Sequence, residues 1–322
     1  MTEEYPLVSV NVVSYNADKY IIETLDSIAN QTYSNIELII SDDASSDKTV
    51  DLCRSWIQEH KSRFTNVELI TVEKNTGVTA NCNRALAASH GEYWKIIGSD
   101  DLLLPDCIEK CVAYMQSNPQ ARFLFGKQIT FTGDFSDGNL EKKELPFRAY
   151  FFRGSVSAKK QYKIITRLAQ VGCAPASFAQ TSLLREVGGF NPRFPMNEDT
   201  PLYIHLTSLG HKLWYLDEFL VYRRIHRESI MHQKDEDAIM SKAALRTVQG
   251  EWSKYIQENS NWFWRRMSRF SQWMYMNILR NGNTKKSWKC RFWLRCSKGL
   301  NPYRWYVLYS RIIDKTLSSF GY

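Results

Sequence analysis

The sequence predicts an α/β fold, with helices on both faces of a mostly parallel sheet and a helical extension at the C-terminus. In the first 100 residues, apolar runs rich in β-branched residues alternate with segments whose apolar residues recur at helical spacing. This alternation is typical of parallel strands joined by crossover helices. A basic, tryptophan-rich stretch follows near the end of the chain and differs in character from everything before it.

Four predicted strands share a β-branched composition and end at turn-forming residues. They are residues 7–15, 36–40, 67–72 and 93–97. Three segments have apolar residues three and four positions apart, which predicts helices. One begins at Asp18, one lies around Val50 and one covers 79–88. Because each strand is followed by a helix, we expect the carboxyl ends of the strands to share one edge, where open α/β sheets bind ligands.

The second half of the chain has a less regular pattern. Pro105 in a first turn predicts a helix over 105–115, and further helices are expected at 159–169 and from about Leu202. Short strands are predicted at 123–125, 128–131, 176–179, 213–216 and 219–222. Residues 133–157 lack any periodicity, which favours a long loop that could cover a binding site.

Length and composition set limits on the class of protein. The 322 residues allow one large α/β domain with a tail, or two domains. No apolar run reaches the roughly 18 residues of a membrane span, and the N-terminus lacks the basic and apolar regions of a signal peptide. Seven cysteines without zinc-binding spacing indicate reduced thiols, so we expect a cytoplasmic protein.

The net charge of +8 is concentrated near the C-terminus. From Trp252 onward there are 14 Lys and Arg against two acidic residues, together with seven of the ten tryptophans. Basic residues beside tryptophan and tyrosine are typical of helices that lie on an anionic membrane surface. Helices packed on the first domain with a solvated basic face are the alternative interpretation. No nucleic-acid-binding motif accompanies this composition, so nucleic acid is not an expected partner.

Paired carboxylates follow two of the predicted strands, at Asp42-Asp43 and at Asp100-Asp101. Four carboxylates at one sheet edge are costly unless a cation or hydrogen-bond donors compensate them, and a nucleoside diphosphate with a divalent metal would do so. Helix capping by Asp100-Asp101 near Pro105 is the other interpretation. Neither a dinucleotide-binding fingerprint nor a P-loop is present.

In this order, a set of short motifs resembles the inverting family 2 glycosyltransferases of the GT-A fold over about residues 6–230. The motifs are Ser14-Tyr15-Asn16, Gln31-Thr32-Tyr33, Asp42-Asp43-Ala44-Ser45-Ser46-Asp47, Asn75-Thr76-Gly77, Asn83 and Ser99-Asp100-Asp101. The resemblance implies a nucleotide-sugar donor, usually a UDP-sugar, and a divalent metal, Mn²⁺ or Mg²⁺. It further implies a GT-A domain over 1–235, with a donor half of about 6–115 and an acceptor half of about 116–235, ahead of an extension over 236–322.

The resemblance also assigns roles to residues of the donor half. Asp43 resembles the carboxylate that binds the base, Asp100 the contact to ribose or donor sugar, and Asp101 the metal ligand. The remaining expected nucleotide contacts are Ser14, Asn16 and Asn83. Gly98 stands where many members have a further Asp, which leaves metal ligation to Asp101, and Cys82 stands at the usual position of an arginine.

In the acceptor half, Asn197-Glu198-Asp199 precedes a predicted helix. Asp199 resembles the general base that accepts a proton from the acceptor hydroxyl, although an Asp here also suits a helix N-cap. Glu198 is expected to contact the acceptor. His226 resembles the family's late metal-binding histidine, with a purely structural histidine as the alternative.

Together these features predict a peripheral enzyme of surface-polysaccharide synthesis, of the O-antigen type, on the cytoplasmic face of the inner membrane. Its expected acceptor is a glycan, carried on a polyprenyl diphosphate lipid. The alternative function is an inactive GT-A scaffold that binds a membrane surface or nucleic acid. The expected catalytic and binding carboxylates are all present, which argues against that alternative because a scaffold would need none of them. They are Asp43, Asp100, Asp101 and Asp199.

Overall fold

Four parallel strands from the first 100 residues form one half of the sheet. The computed structural model describes residues 5–133, 135, 140–141, 156–168, 174–226, 237–240, 250–301, 305 and 308–309. Strand β1 (Val8–Ser14) lies between β2 (Ile36–Asp42) and β4 (Tyr93–Gly98), and β3 (Asn66–Thr71) pairs with β2. Nearly every residue of β1, β2 and β4 is buried, as expected for parallel strands that are covered on both faces.

Helices follow these strands as the sequence predicts. They are α1 (Ile21–Ala29), α2 (Thr49–His60), α3 (Val78–Ala88) and α4 (Cys107–Ser117). In α1, the buried residues Ile21, Leu25 and Ile28 recur at helical spacing and pack in the main hydrophobic core. Helix α4 begins two residues after Pro105, with Asp106 at its N-cap position.

The second half of the sheet is antiparallel. Strand β8 (Ser177–Gln180) pairs with β4 and with β6 (Phe123–Thr132), β5 (Leu102–Leu103) pairs with β9 (Trp214–Ile225), and β7 (Leu140–Glu141) pairs with β6. Among the described residues the strand order is β3-β2-β1-β4-β8-β6-β9-β5, with β7 beside β6. The sheet is therefore mixed, and its parallel half carries the paired carboxylates.

In two places, a pair of short strands predicted from the sequence forms one continuous strand in the structure. Residues 123–125 and 128–131 both belong to β6, which passes through Gly126 without a break. A Cβ atom at Gly126 would lie 2.3 Å from Leu220 Cδ1 of β9, so the glycine allows close approach at this position. Residues 213–216 and 219–222 likewise join in β9, whose central Asp217 and Glu218 are exposed.

The remaining described helices lie in the second half of the chain. They are α5 (Ala158–Leu168), α6 (Thr181–Glu186), α7 (Asp199–Ser208), α8 (Glu251–Glu258), α9 (Trp262–Arg280) and α10 (Trp288–Gly299). None of the helices that the structure describes is both long enough and apolar enough to cross a membrane. The C-terminal extension is helical, as predicted.

Two compact units divide the chain. The first contains the residues up to Tyr162 and Val171–Arg224, and the second contains Lys163–Gln170 and everything from Ile225 onward. The predicted domain border at residue 235 lies outside the described residues. The same holds for most of the predicted long loop over 133–157.

Candidate active site

The two pairs of carboxylates lie on either side of the carboxyl end of β1. Ser14 is paired in register with Asp42 of β2, and Val13 with Gly98 of β4. The Asp43 N–H donates to Ser14 O (2.9 Å), and the Ser99 N–H donates to Val13 O (3.2 Å). The structure therefore brings the loops that carry both pairs to one edge of the sheet.

Ser14 and Asn16 form the loop at the end of β1. Asn16 has a left-handed backbone (φ +48°), its N–H donates to Ser45 Oγ (2.7 Å), and its Oδ1 accepts from the Ser46 N–H (2.8 Å). The Ser14 side chain is 2% exposed, and its Oγ has no hydrogen-bond partner among the described residues. A buried hydroxyl without a partner is costly, so a polar ligand at this edge would stabilise it.

Asp43 uses both carboxylate oxygens to fix the loop that leads into α3. Its Oδ2 accepts from the backbone N–H groups of Thr76 (2.9 Å) and Gly77 (2.7 Å), and its Oδ1 accepts from Thr76 Oγ1 (2.6 Å). The Arg84 guanidinium lies 3.3 Å from the same Oδ1 and also donates to Thr76 Oγ1 (2.8 Å). Arg84 thus neutralises a buried carboxylate. The predicted contact of Asp43 with a base stays a prediction.

Asp100 and Asp101 approach each other across the space beside Gly98. A Cβ atom at Gly98 would lie 2.9 Å from Asp100 Oδ1 and 3.9 Å from Asp101 Oδ2. Burial raises the pKa of Asp101 well above its usual range, and the neighbouring Asp100 raises it further. The Arg224 N–H donates to Asp101 Oδ1 (2.9 Å), and the charges of Arg223 and Arg224 also lower the pKa of Asp101. These contributions do not offset the rise that burial and Asp100 cause.

This carboxylate pair fits a divalent cation. A buried carboxylate whose charge is poorly compensated gains most from a cation, and Mg²⁺ and Mn²⁺ prefer oxygen ligands. In the described part of the chain, no three His, Cys, Asp or Glu side chains converge as a complete metal site. Two carboxylates are nevertheless the usual protein share for a metal that also binds substrate phosphates. His226 belongs to the second unit, and its role as a ligand stays a prediction.

Arg224 is buried beneath the carboxylate pair, and sequence reasoning did not anticipate this role. Its Nε donates to Asp100 O (3.0 Å), its Nη2 lies 2.7 Å from Glu23 Oε2, and Nη1 donates to Gly133 O. Because all these groups hold it inside the protein, its guanidinium supports the backbone of the site. Arg223 is partly exposed and lowers the pKa of both Asp101 and Asp199.

Glu198 and Asp199 form a third acidic pair in this unit, at the start of α7. Asp199 Oδ1 accepts from the Thr200 N–H and from Thr200 Oγ1 (3.0 Å), so the carboxylate binds donors in the first turn of α7, whose N-cap residue is Glu198. Burial raises the pKa of Asp199, although Thr200 and Arg223 act in the opposite direction. Burial and the charge of Asp199 raise the pKa of Glu198 to about 7. A carboxylate with a raised pKa is a competent general base near neutral pH.

Helix α3 fixes the loop that precedes this acidic pair. Thr79 donates from its N–H to Pro195 O (3.3 Å) and from its Oγ1 to Phe194 O. Asn83 Nδ2 donates to Phe190 O (2.8 Å), and the Phe190 N–H donates to Asn83 Oδ1 (2.8 Å). Burial, followed by Glu198 and Asp199, raises the pKa of the Cys82 thiol, which places the pair beside this helix. The nucleotide contact expected of Asn83 stays a prediction.

We expect Asn83→Ala to destabilise the protein by about 2–4 kcal/mol, because it leaves both backbone groups of buried Phe190 without their partners. Urea unfolding would measure the loss, and amide hydrogen exchange would show faster exchange at Phe190. Asn118→Ala is the matched control, since Asn118 Nδ2 makes a single local bond to Tyr114 O. Equal destabilisation by both variants would contradict this role for Asn83.

Comparison with known protein sequences gives a consistent family. The sequence model described as "Glycosyl transferase family 2" matches residues 9–187. An uncharacterized glycosyltransferase of Haemophilus influenzae is 38% identical over 141 residues, which are 44% of this chain and 40% of that protein. The chain thus spans less than half of that relative. The glucosyltransferase WfaP of Escherichia coli is 24% identical over 250 residues, covering 75% of this chain and 86% of WfaP.

Solved structures of other proteins have a fold similar to that of this chain. S. aureus TarS (residues 1–349) superposes with a TM-score of 0.57 at 17% identity, over 91% of this chain and 79% of that one. The mannosyltransferase PcManGT from Pyrobaculum calidifontis, solved in complex with GDP-Man and Mn²⁺, has a TM-score of 0.52 at 17% identity, over 99% and 80% of the two chains. These likenesses confirm the predicted GT-A fold class.

Proposed function

Because this chain belongs to glycosyl transferase family 2, we propose that it transfers a sugar, with inversion, from a nucleotide-sugar to a hydroxyl group of a glycan. One observation carries the proposal. The structure brings the loops that carry Asp43 and the buried Asp101 to one edge of the sheet, and the charge of Arg223 lowers the pKa of both Asp101 and Asp199. A cation-binding group, a proton acceptor and a fixed positive charge are the parts that such a displacement needs.

In the proposed reaction, Asp199 accepts the proton of the acceptor hydroxyl as its oxygen attacks the anomeric carbon. The new glycosidic bond forms while the bond from that carbon to the diphosphate oxygen breaks, and the electron pair leaves with the nucleoside diphosphate. We propose that Arg223, whose charge lowers the pKa of both Asp101 and Asp199, stabilises the leaving group. Asp101, with Asp100 beside it, would hold Mn²⁺ or Mg²⁺, which supplies further positive charge at the diphosphate when bound.

We propose a UDP-sugar as the donor and a polyprenyl-diphosphate-linked glycan as the acceptor. The relative WfaP is described as a UDP-Glc:alpha-D-GlcNAc-diphosphoundecaprenol beta-1,3-glucosyltransferase, which supports both classes. The Mn²⁺ in the PcManGT complex supports a divalent metal. We further propose that Ser14, Asn16 and Asn83 face the nucleotide and that Glu198 contacts the acceptor.

For its setting, we propose a peripheral protein of surface-polysaccharide synthesis, of the O-antigen type, on the cytoplasmic face of the inner membrane. A lipid-linked acceptor would place the reaction at a membrane surface, and the cationic extension is compatible with that location. His226 as a metal ligand and the domain border near residue 235 belong to the same proposal.

A thermal-shift panel tests the proposed function directly. Ligands that bind the folded state raise Tm, so we expect UDP to stabilise the chain strongly only when Mn²⁺ or Mg²⁺ is present. UMP with Mn²⁺ is the matched ligand control, because it lacks the second phosphate that would share the metal. A panel of nucleoside diphosphates that gave no metal-dependent shift would overturn the proposal in favour of an inactive scaffold.

A further inference from the structure

Two helices of the second unit expose an unusual set of side chains on neighbouring faces. We call this set the aromatic–arginine face, and it consists of Trp262, Arg266, Phe270 and Trp273 on α9 with Trp288, Phe292 and Arg295 on α10. Each of these side chains is exposed, and Trp262 and Trp288 are 76% and 66% exposed. The opposite side of the helices is buried, at Met274, Ile278 and Cys290.

Helical spacing explains why the exposed residues line up. On α9 the four residues lie at intervals of four, four and three, and on α10 the three residues lie at intervals of four and three, so each set shares one helix face. Ring contacts join the two faces, because Trp273 lies 4.8 Å from Trp293 between ring centroids and Phe292 lies 5.4 Å from Trp293. Phe270 stacks on Trp273 at 5.8 Å. The aromatic surface is thus continuous from one helix to the other.

The two helices and the loop between them are strongly basic, although Lys286 of that loop pairs with Asp237. Between Glu258 and Asp314 the sequence contains twelve Lys and Arg and no acidic residue. An anionic partner would complement this charge, and a partner with an apolar layer would cover the aromatic rings. An anionic lipid surface offers both together, with headgroups for arginine and an acyl boundary for tryptophan.

We propose that the aromatic–arginine face docks the protein on an anionic lipid bilayer, with α9 and α10 lying in the interface. Exposed aliphatic side chains favour lipid over nucleic acid, since Leu300 and Leu308 are 64% and 47% exposed and have no counterpart on a phosphate backbone. The inference goes beyond the proposed catalytic function. It would bring the enzyme to a lipid-linked acceptor, but it does not depend on catalysis.

Vesicle flotation of the full chain tests the proposal without any assay of activity. We expect the chain to float with phosphatidylcholine vesicles that contain phosphatidylglycerol, and to stay behind with pure phosphatidylcholine or at high salt. Lipids brominated in their acyl chains should quench its tryptophan fluorescence, because the exposed rings would reach the acyl boundary.

Two pairs of substitutions separate the contributions of charge and aromatic side chains. Arg266→Gln with Arg295→Gln should weaken vesicle binding by about 30-fold, and Trp262→Ser with Trp288→Ser should weaken it by at least about 10-fold and remove most quenching. Lys159→Gln with Lys160→Gln, at exposed positions of α5 in the first unit, is the charge-matched control and should bind as the wild type does. All these variants should keep the metal-dependent thermal shift with UDP.

Three outcomes would overturn the proposal. One is that wild-type chain does not float with anionic vesicles, and another is that the aromatic and arginine variants float as well as the wild type. The third is that double-stranded DNA or a second copy of the chain occupies the face instead, seen as DNA binding or a concentration-dependent dimer that the same variants abolish. Loss of vesicle binding with an intact UDP shift would leave the proposed enzymatic function standing.

Discussion

Asp199→Asn is expected to lower kcat by about 10²- to 10⁴-fold with little change in KM, because it removes only the proton acceptor. An asparagine keeps an Oδ1 atom that can accept from Thr200, so the helix start should survive. The base must be ionised to act. Because burial raises the pKa of Asp199, kcat/KM of the wild type should fall as pH drops through a pKa above the usual range of an aspartate, and the residual activity of the variant should lack that limb.

Asp106→Asn is the matched control for this prediction. Asp106 also stands at the beginning of a helix, where its carboxylate lies 2.8 Å from Lys110 Nζ, and it lies outside the proposed machinery. If Asp199 only stabilised the first turn of α7, both substitutions would cost some stability and neither would change kcat. Near-normal kcat for Asp199→Asn would therefore contradict the role of general base.

Asp101→Asn should abolish metal-dependent UDP binding and yet leave the ligand-free protein at least as stable as the wild type. In the folded state the pKa of Asp101 is raised, so its ionisation above the unfolded-state pKa opposes folding, and a neutral side chain removes that effect at pH 7. Loss of one partner of a buried charge pair costs about 3–5 kcal/mol. If the carboxylate and the cation form such a pair, a loss of about 3 kcal/mol corresponds to a rise of at least about 100-fold in the Kd for UDP with Mn²⁺.

Titration calorimetry with UDP and Mn²⁺, together with Tm without ligand, checks both halves of this prediction. Asp26→Asn is the control, because Asp26 accepts from Trp56 Nε1 (2.7 Å) away from the sheet edge and an asparagine can still accept there. Wild-type affinity in Asp101→Asn would remove Asp101 from the metal site. A large fall in Tm without ligand would instead assign the carboxylate a structural role.

Local patterns were sufficient to predict the first half of the fold. The strands β1 to β4 and the helices α1 to α3 follow from apolar periodicity, and the sharing of one sheet edge by Asp43 and Asp101 follows from parallel topology. The antiparallel half was less predictable. In β6, Gly126 leaves room for Leu220 of β9, and this close approach joins residues nearly one hundred positions apart in the chain.

The candidate site shows which features follow from local sequence patterns and which depend on contacts between distant residues. The amino-acid pattern was sufficient to predict which carboxylates follow strands, because the apolar period that marks a strand is a local property. Three features became visible only in the folded chain: Arg224 donates to the backbone of Asp100, Arg223 lowers the pKa of both Asp101 and Asp199, and Asn83 binds the backbone of Phe190. Hydrogen bonds and pKa values depend on neighbours that are distant in the chain, and no local pattern encodes those neighbours.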